Sequence, residues 1–237
     1  MKNMKNMSNI EDMIQTYSKF SEYENDVYEK DYPRIKKVLK TILSLEKGKI
    51  LEIGCLSGKI ISILKTNGWK AYGIDIIDKP DVFDKDIMFI KHNVENGIPF
   101  DDNFFDVVYA GEVIEHLYDT DEFIKEVNRI LKNNGYFIVT TPNISSFINR
   151  CLLLAGKLPR YVEYKKGGAG HIHFYTMKIL EDQLYDNGFN IEKKIGNFFS
   201  FPDITKGKKI RKSILSFLGD YFPTFSENLI IVAKVEK

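Results

Sequence analysis

Three short groups of residues in this 237-residue chain have the types and spacing to do chemistry. The first is Glu52-Ile53-Gly54-Cys55-Leu56-Ser57-Gly58. Its glycines let backbone approach a ligand where a Cβ would collide, and Glu52 sets a carboxylate just before them. The second is Asp75, in Gly73-Ile74-Asp75-Ile76. A carboxylate at the end of a second strand is placed to accept hydrogen bonds from both hydroxyls of a ribose; the alternative is an Asp that caps the following turn. The third is Gly170-His171-Ile172-His173. An imidazole that is neutral near pH 7 can take a proton, or it can lock its own segment by hydrogen bonds.

For these groups to meet, strands must carry them to one edge of a sheet. Ile50, Leu51 and Ile53 suit a strand buried on both faces. Ser57 is expected to cap the helix Lys59–Asn67, whose Ile60, Ile61, Ile63 and Leu64 make an apolar face. Further strands are expected at Lys70–Ile76, Met88–His92, Phe104–Ala110 and Tyr136–Thr141. A helix capped by Asp119 and stopped by Asn134-Gly135 separates the last two. This alternation predicts a doubly wound, α/β parallel sheet. Ahead of it, residues 1–47 read as a helical cap, with one helix near Ile10–Tyr23 and another begun by Asp31 and Pro33. Residues 48–237 form the main domain, with an insertion at 143–175 assigned to the acceptor substrate. Phe189–Asn197 and Asn228–Val235 complete the strands.

A dinucleotide cradle needs glycines at the first, third and sixth positions from Gly54, and Leu56 and Lys59 stand at the last two. An acidic residue in the strand followed by Gly54 and Gly58 instead resembles the first motif of class I S-adenosylmethionine-dependent methyltransferases, with Leu56 in place of the middle glycine. Asp75 matches their second motif, and FDVVYAGEVIEHL over 105–117 and FIKEVNRILKNNGYFIVTTPN over 123–143 match later ones. GHIHFYT over 170–176 resembles a junction of quinone, sugar and lipid methyltransferases. The resemblance implies a seven-stranded, Rossmann-like, mostly parallel sheet ending in an antiparallel hairpin. It implies S-adenosylmethionine as cofactor. Glu52, Gly54, Cys55 and Gly58 would surround its methionine end, Asp75 and Ile76 its ribose, and Asn93 and Val94 its adenine, although Asn93 also suits an Asx turn. The backbone of Gly111 and Glu112 would pass the reacting methyl, with Glu115 and His116 orienting that loop. His171 is the candidate base for methylating a hydroxyl on a sugar or glycan precursor, quinone or lipid-linked acceptor.

Composition narrows the partners. A formal net charge of +1 gives no generic polyanion surface. The segment after strand four lacks Asn-Pro-Pro-aromatic, and no proline precedes a cysteine, so nucleic acid is not expected as substrate. Cys55 and Cys151 lack metal or redox spacing, no metal site is expected, and the start of the chain lacks a signal-peptide core; the expectation is a cytoplasmic protein. The basic run Lys206–Lys212 leads an amphipathic stretch that reads as a solvated face over a packed one, with a membrane surface as the lesser alternative. The competing functions are a nicotinamide-dependent oxidoreductase and a non-catalytic S-adenosylmethionine-binding partner protein.

Overall fold

In the computed structural model, residues 33–78, 86–162, 170–199 and 212–237 are described. The expected helix near Ile10–Tyr23 and the basic residues 206–211 lie outside them. The elements run α1 (Pro33–Leu43), β1 (Lys49–Ile53), α2 (Lys59–Thr66), β2 (Lys70–Asp75), β3 (Met88–Lys91), β4 (Phe105–Gly111), α3 (Thr120–Ile130), β5 (Leu131–Pro142), α4 (Phe147–Leu154), α5 (Met177–Asp186), β6 (Phe189–Gly196), α6 (Lys212–Tyr221) and β7 (Asn228–Val235). No helix among the described residues is long and apolar enough to cross a membrane.

The strands form one seven-stranded sheet in the order β3-β2-β1-β4-β5-β7-β6. β1 through β5 pair in parallel, while β7 runs antiparallel to both β5 and β6. Such a sheet needs cover on both faces, which explains the near-continuous apolar strands. On one face Ile50, Val107, Tyr109 and Ile138 pack against Val38 and Ile42 of α1 and Ile61 and Leu64 of α2. On the other, Leu51, Ile74, Val108 and Phe137 pack against Phe123 and Val127 of α3 and Leu180 and Leu184 of α5. Each such side chain, fully buried, is worth about 1.5–3 kcal/mol.

Two local expectations change. α3 stops at Ile130, not at Asn134-Gly135, because Leu131 is buried and already pairs with Phe105. β5 therefore begins five residues early, and Asn134, with φ 62, turns the chain back into register at Tyr136. Ser57 does not cap α2: Gly58 holds the N-cap position in left-handed backbone, with no side-chain cap.

Candidate functional site

The carboxyl ends of β1, β2 and β4 meet at the glycine turn. Gly54 and Gly58 both hold φ +72, and a Cβ on Gly54 would lie 2.5 Å from Val113 Cγ2. Between them Leu56 adopts φ 43, left-handed backbone that a glycine adopts freely. The N–H of Gly54 donates to Ile74 O at 2.9 Å, and that of Gly58 to Cys55 O at 2.7 Å. The turn thus leans on β2. There the N–H of Leu56 donates to Asp75 Oδ2 at 2.8 Å, and that of Ile77 to Oδ1 at 3.1 Å. Asp75 is buried yet faces the turn, with Ile76 half-buried beside it. Burial raises the pKa of its carboxyl, while the N–H groups of Leu56, Ile77 and Ile76 pull the other way.

The buried Oγ of Ser57 has no hydrogen-bond partner among the described residues. An orphaned hydroxyl, a turn without Cβ walls at its glycines, and a carboxylate with lone pairs to spare fit a nucleoside carrying an amino-acid tail. Beside β3, Asn93 closes an Asx turn: its Oδ1 accepts the N–H of Glu95 at 3.0 Å, leaving one lone pair for a base. Val94 is buried in the one-turn helix that follows.

At the end of β4, Gly111 lies against Tyr109: a Cβ there would sit 2.2 Å from the tyrosine Oη and 3.2 Å from Arg34 Nη1. Glu112 follows at φ 58. Its carboxylate accepts from Thr140 Oγ1 at 2.9 Å and from Asn228 Nδ2 at 2.8 Å, with Arg34 Nε 3.8 Å away. Arg34, in the first turn of α1, donates to Tyr109 Oη at 3.2 Å and Thr140 Oγ1 at 3.0 Å. Glu52, buried on β1, stands in register with Tyr109. Neither residue type nor local spacing in the sequence marks Tyr109, Thr140 or Asn228 for this network, and Arg34 is marked only weakly. One signal was available: Arg34 lies four residues before Val38, on the stripe of α1 that faces the core.

Beyond β4, the turn Ile114–His116 receives the segment that returns from the insertion. The N–H groups of Ile172 and His173 donate to Glu115 O at 2.9 and 3.1 Å. This docking sets the His116 and His171 rings 4.8 Å apart. His116 Nδ1 points to Gly170 O at 3.3 Å and His171 Nδ1 to Tyr161 O at 3.4 Å. A proton on each Nδ1 would satisfy these carbonyls, and His116 Nε2 lies 3.9 Å from Glu115 Oε1. Burial and the neighbouring His171 push the pKa of His116 down to about 4. Glu115 accepts from Thr141 Oγ1 at 3.0 Å; burial and the nearby Glu112 carboxylate lift its pKa well above the usual range. A small pocket opens here between Glu115, Pro142, Ile144, Tyr161, His171 and Phe174. Among the described residues, Glu115, His116 and His171 place three candidate ligand atoms within 4.8 Å of one another. Ligand atoms of a tetrahedral divalent site lie about 3.4 Å apart, so a cation here would have to draw the three groups together by more than about 1 Å.

Residues 27–194 match the family described as "Methyltransferase domain". The mitochondrial ubiquinone biosynthesis O-methyltransferase of Bos taurus is 26% identical over 185 residues, covering 69% of this chain and 48% of that protein. The chain thus spans about half the length of the ubiquinone-biosynthesis relatives it matches in cattle and humans. A Thermotoga maritima structure described as a possible histamine N-methyltransferase superposes with TM-score 0.65 at 19% identity, covering 94% of this chain and 99% of the other. The Burkholderia thailandensis 1,6-didemethyltoxoflavin-N1-methyltransferase, solved with S-adenosylhomocysteine, gives TM-score 0.63 at 11% identity, covering 98% and 90%. The glycine turn, the sheet order and the matched residues agree: the chain belongs to the class I S-adenosylmethionine-dependent methyltransferases.

Proposed function

We propose that this protein moves a methyl group from S-adenosylmethionine to a hydroxyl of a small acceptor presented to His171. The observation that carries this reading is the half-buried imidazole of His171 beside the β4 loop, on the wall of a pocket of about 10 Å³ that has room for a hydroxyl-sized group. When bound, the cofactor supplies a methyl group already activated by its sulfonium. The chain's own work is placement and proton transfer. Glu52, Gly54, Cys55 and Gly58 would wrap the amino-acid end, Asp75 and Ile76 the ribose, and Asn93 and Val94 the adenine. The backbone of Gly111 and Glu112 lines the path to the acceptor. Holding the acceptor oxygen in line with methyl carbon and sulfur lowers the barrier by several kcal/mol, roughly. As the carbon–oxygen bond forms and the carbon–sulfur bond breaks, the hydroxyl proton passes to His171 Nε2, whose Nδ1 stays hydrogen-bonded to Tyr161 O.

A radiolabelled methyl-transfer screen tests this directly. Phenolic, sugar and quinol hydroxyls are expected to accept label, and amines are not. His171→Ala should abolish turnover while S-adenosylhomocysteine affinity holds; loss of folding would instead make His171 a structural lock. Label on amines alone would overturn the choice of oxygen. A second reading has its own observation, the Glu115, His116 and His171 cluster. One carboxylate and two imidazoles suit a transition-metal ion with positions left for acceptor oxygens. Turnover abolished by a chelator and restored by one divalent metal would favour it, with His171 as ligand rather than base.

A further inference from the structure

Glu227 directly precedes β7 and is only 6% exposed, so its charge costs free energy unless partners hold it. Its backbone is fixed on both sides. Its N–H donates to Phe198 O at 3.2 Å, and its O accepts from the N–H of Asn143 at 2.8 Å. The side chain then reaches the insertion, where Oε1 pairs with Arg160 and Oε2 accepts from the Tyr161 hydroxyl at 3.3 Å. A second tie meets the same point. Asn149, fully buried on α4, accepts the N–H of Arg160 on its Oδ1 at 2.8 Å, and its Nδ2 donates to Asn143 O at 3.1 Å. Two neighbouring residues of the insertion are therefore anchored to the start of β7 and to the residue just past β5.

The anchored point faces His171. Tyr161 holds φ 70, left-handed backbone that a tyrosine keeps only when its surroundings impose it. In that conformation its carbonyl oxygen lies 3.4 Å from His171 Nδ1. A carbonyl only accepts, so this contact needs the proton on Nδ1 and leaves Nε2 without one. Free in water, a histidine side chain favours the opposite tautomer, with its proton on Nε2. The docking of Ile172 and His173 on Glu115 O fixes the backbone beside His171 but not the tautomer of its ring. We propose that Glu227 is a positioning residue: by gripping Arg160 and Tyr161 it holds the Tyr161 carbonyl against His171 Nδ1, and so keeps Nε2 free to take the acceptor's proton. It acts through Tyr161 and needs no contact with the acceptor. When the hydroxyl proton passes to Nε2, the ring becomes an imidazolium with two N–H groups, and Tyr161 O keeps its bond to the one on Nδ1.

This inference rests on the reading of His171 as the base, and its test reads the ring itself rather than turnover. Long-range proton–nitrogen NMR spectra of protein labelled in its four histidines distinguish the two neutral tautomers. They are recorded at about pH 8, above the ordinary imidazole pKa, and His171 is assigned by the signal lost in His171→Gln. Wild-type protein should show His171 with its proton on Nδ1. Glu227→Leu keeps the bulk and removes the anchor, and it should move most of the His171 population to the Nε2–H form. The His116 signal, whose Nδ1 faces Gly170 O, should stay where it is. His171 found as Nε2–H in wild-type protein, or an unchanged tautomer in the variant, would overturn the proposal, as would an equal shift of His116. If Glu227→Leu does not fold, Arg160→Met removes the ion pair from a half-exposed side chain, and the same shift toward Nε2–H is expected. Methyl transfer that survives in His171→Ala would remove the base and leave the tautomer result standing, which separates the two failures.

Discussion

Leu56 stands where the family pattern places a glycine, yet its backbone keeps the glycine conformation at φ 43. Left-handed backbone costs a non-glycine residue about 1–2 kcal/mol. Leu56→Ala and Leu56→Gly remove the same side chain, but only glycine also relieves the angle. The glycine variant should therefore be the more stable of the two by about 1 kcal/mol in urea unfolding; an alanine variant of equal or greater stability would show that the angle is not strained. His116 makes a pH prediction. Its pKa falls from 6.5 to about 4 on folding, so between those values the unfolded chain binds more protons than the native one. Stability should drop as pH is lowered from 6.5 toward 4, by about 3 kcal/mol at most from this group. His116→Gln should flatten that part of a pH series of unfolding curves, and an unchanged slope would assign it to other groups. Type and position singled out Asp75 and His171 in the sequence as candidates for chemistry. Arg34, Tyr109 and Thr140 were not singled out, because their hydrogen bonds join residues 75 and 106 positions apart.

At the scale of elements, α1 does more than cover the sheet. Lys37 Nζ donates to Gly196 O and Ser216 O, each at 2.7 Å, and pairs with Asp220 at 2.8 Å. One side chain thus ties the helix before β1 to β6 and α6 near the chain's other end. Lys37→Met keeps the apolar stem but removes all three links and leaves two carbonyls poorly satisfied. A loss of about 2 kcal/mol in urea unfolding is expected, and a change under about 0.5 kcal/mol would mean that apolar packing alone holds α1. Apolar periodicity predicted this helix well, since Ile35, Val38 and Ile42 are all buried, but periodicity says nothing about a lysine that reaches across the fold. The same limit explains the start of β5. Leu131 continues the apolar stripe of α3, and only its pairing with Phe105 makes it strand. Ser57 suited a cap by type, but left-handed backbone at Leu56 and Gly58 moves the cap position one residue on.

At the scale of the whole molecule, the sheet order places β1, β2 and β4 side by side, with β5 next to β4. Their carboxyl ends then bring together Gly54, Asp75, Glu112 and Thr140 from widely separated parts of the sequence. The alternation of strands and helices made the parallel core of this sheet legible. The antiparallel place of β7 between β5 and β6 came from the resemblance, because two late strands flanking a helical stretch carry no directional signal of their own. The account stands on the cleft at the end of β1 and β2. Calorimetric titration of S-adenosylhomocysteine into wild-type protein and Asp75→Ala tests it most directly. One saturable site is expected, weakened at least about tenfold by the substitution, which removes the carboxylate proposed to accept the ribose hydroxyls. No binding at millimolar ligand, or equal affinity for both proteins, would contradict it.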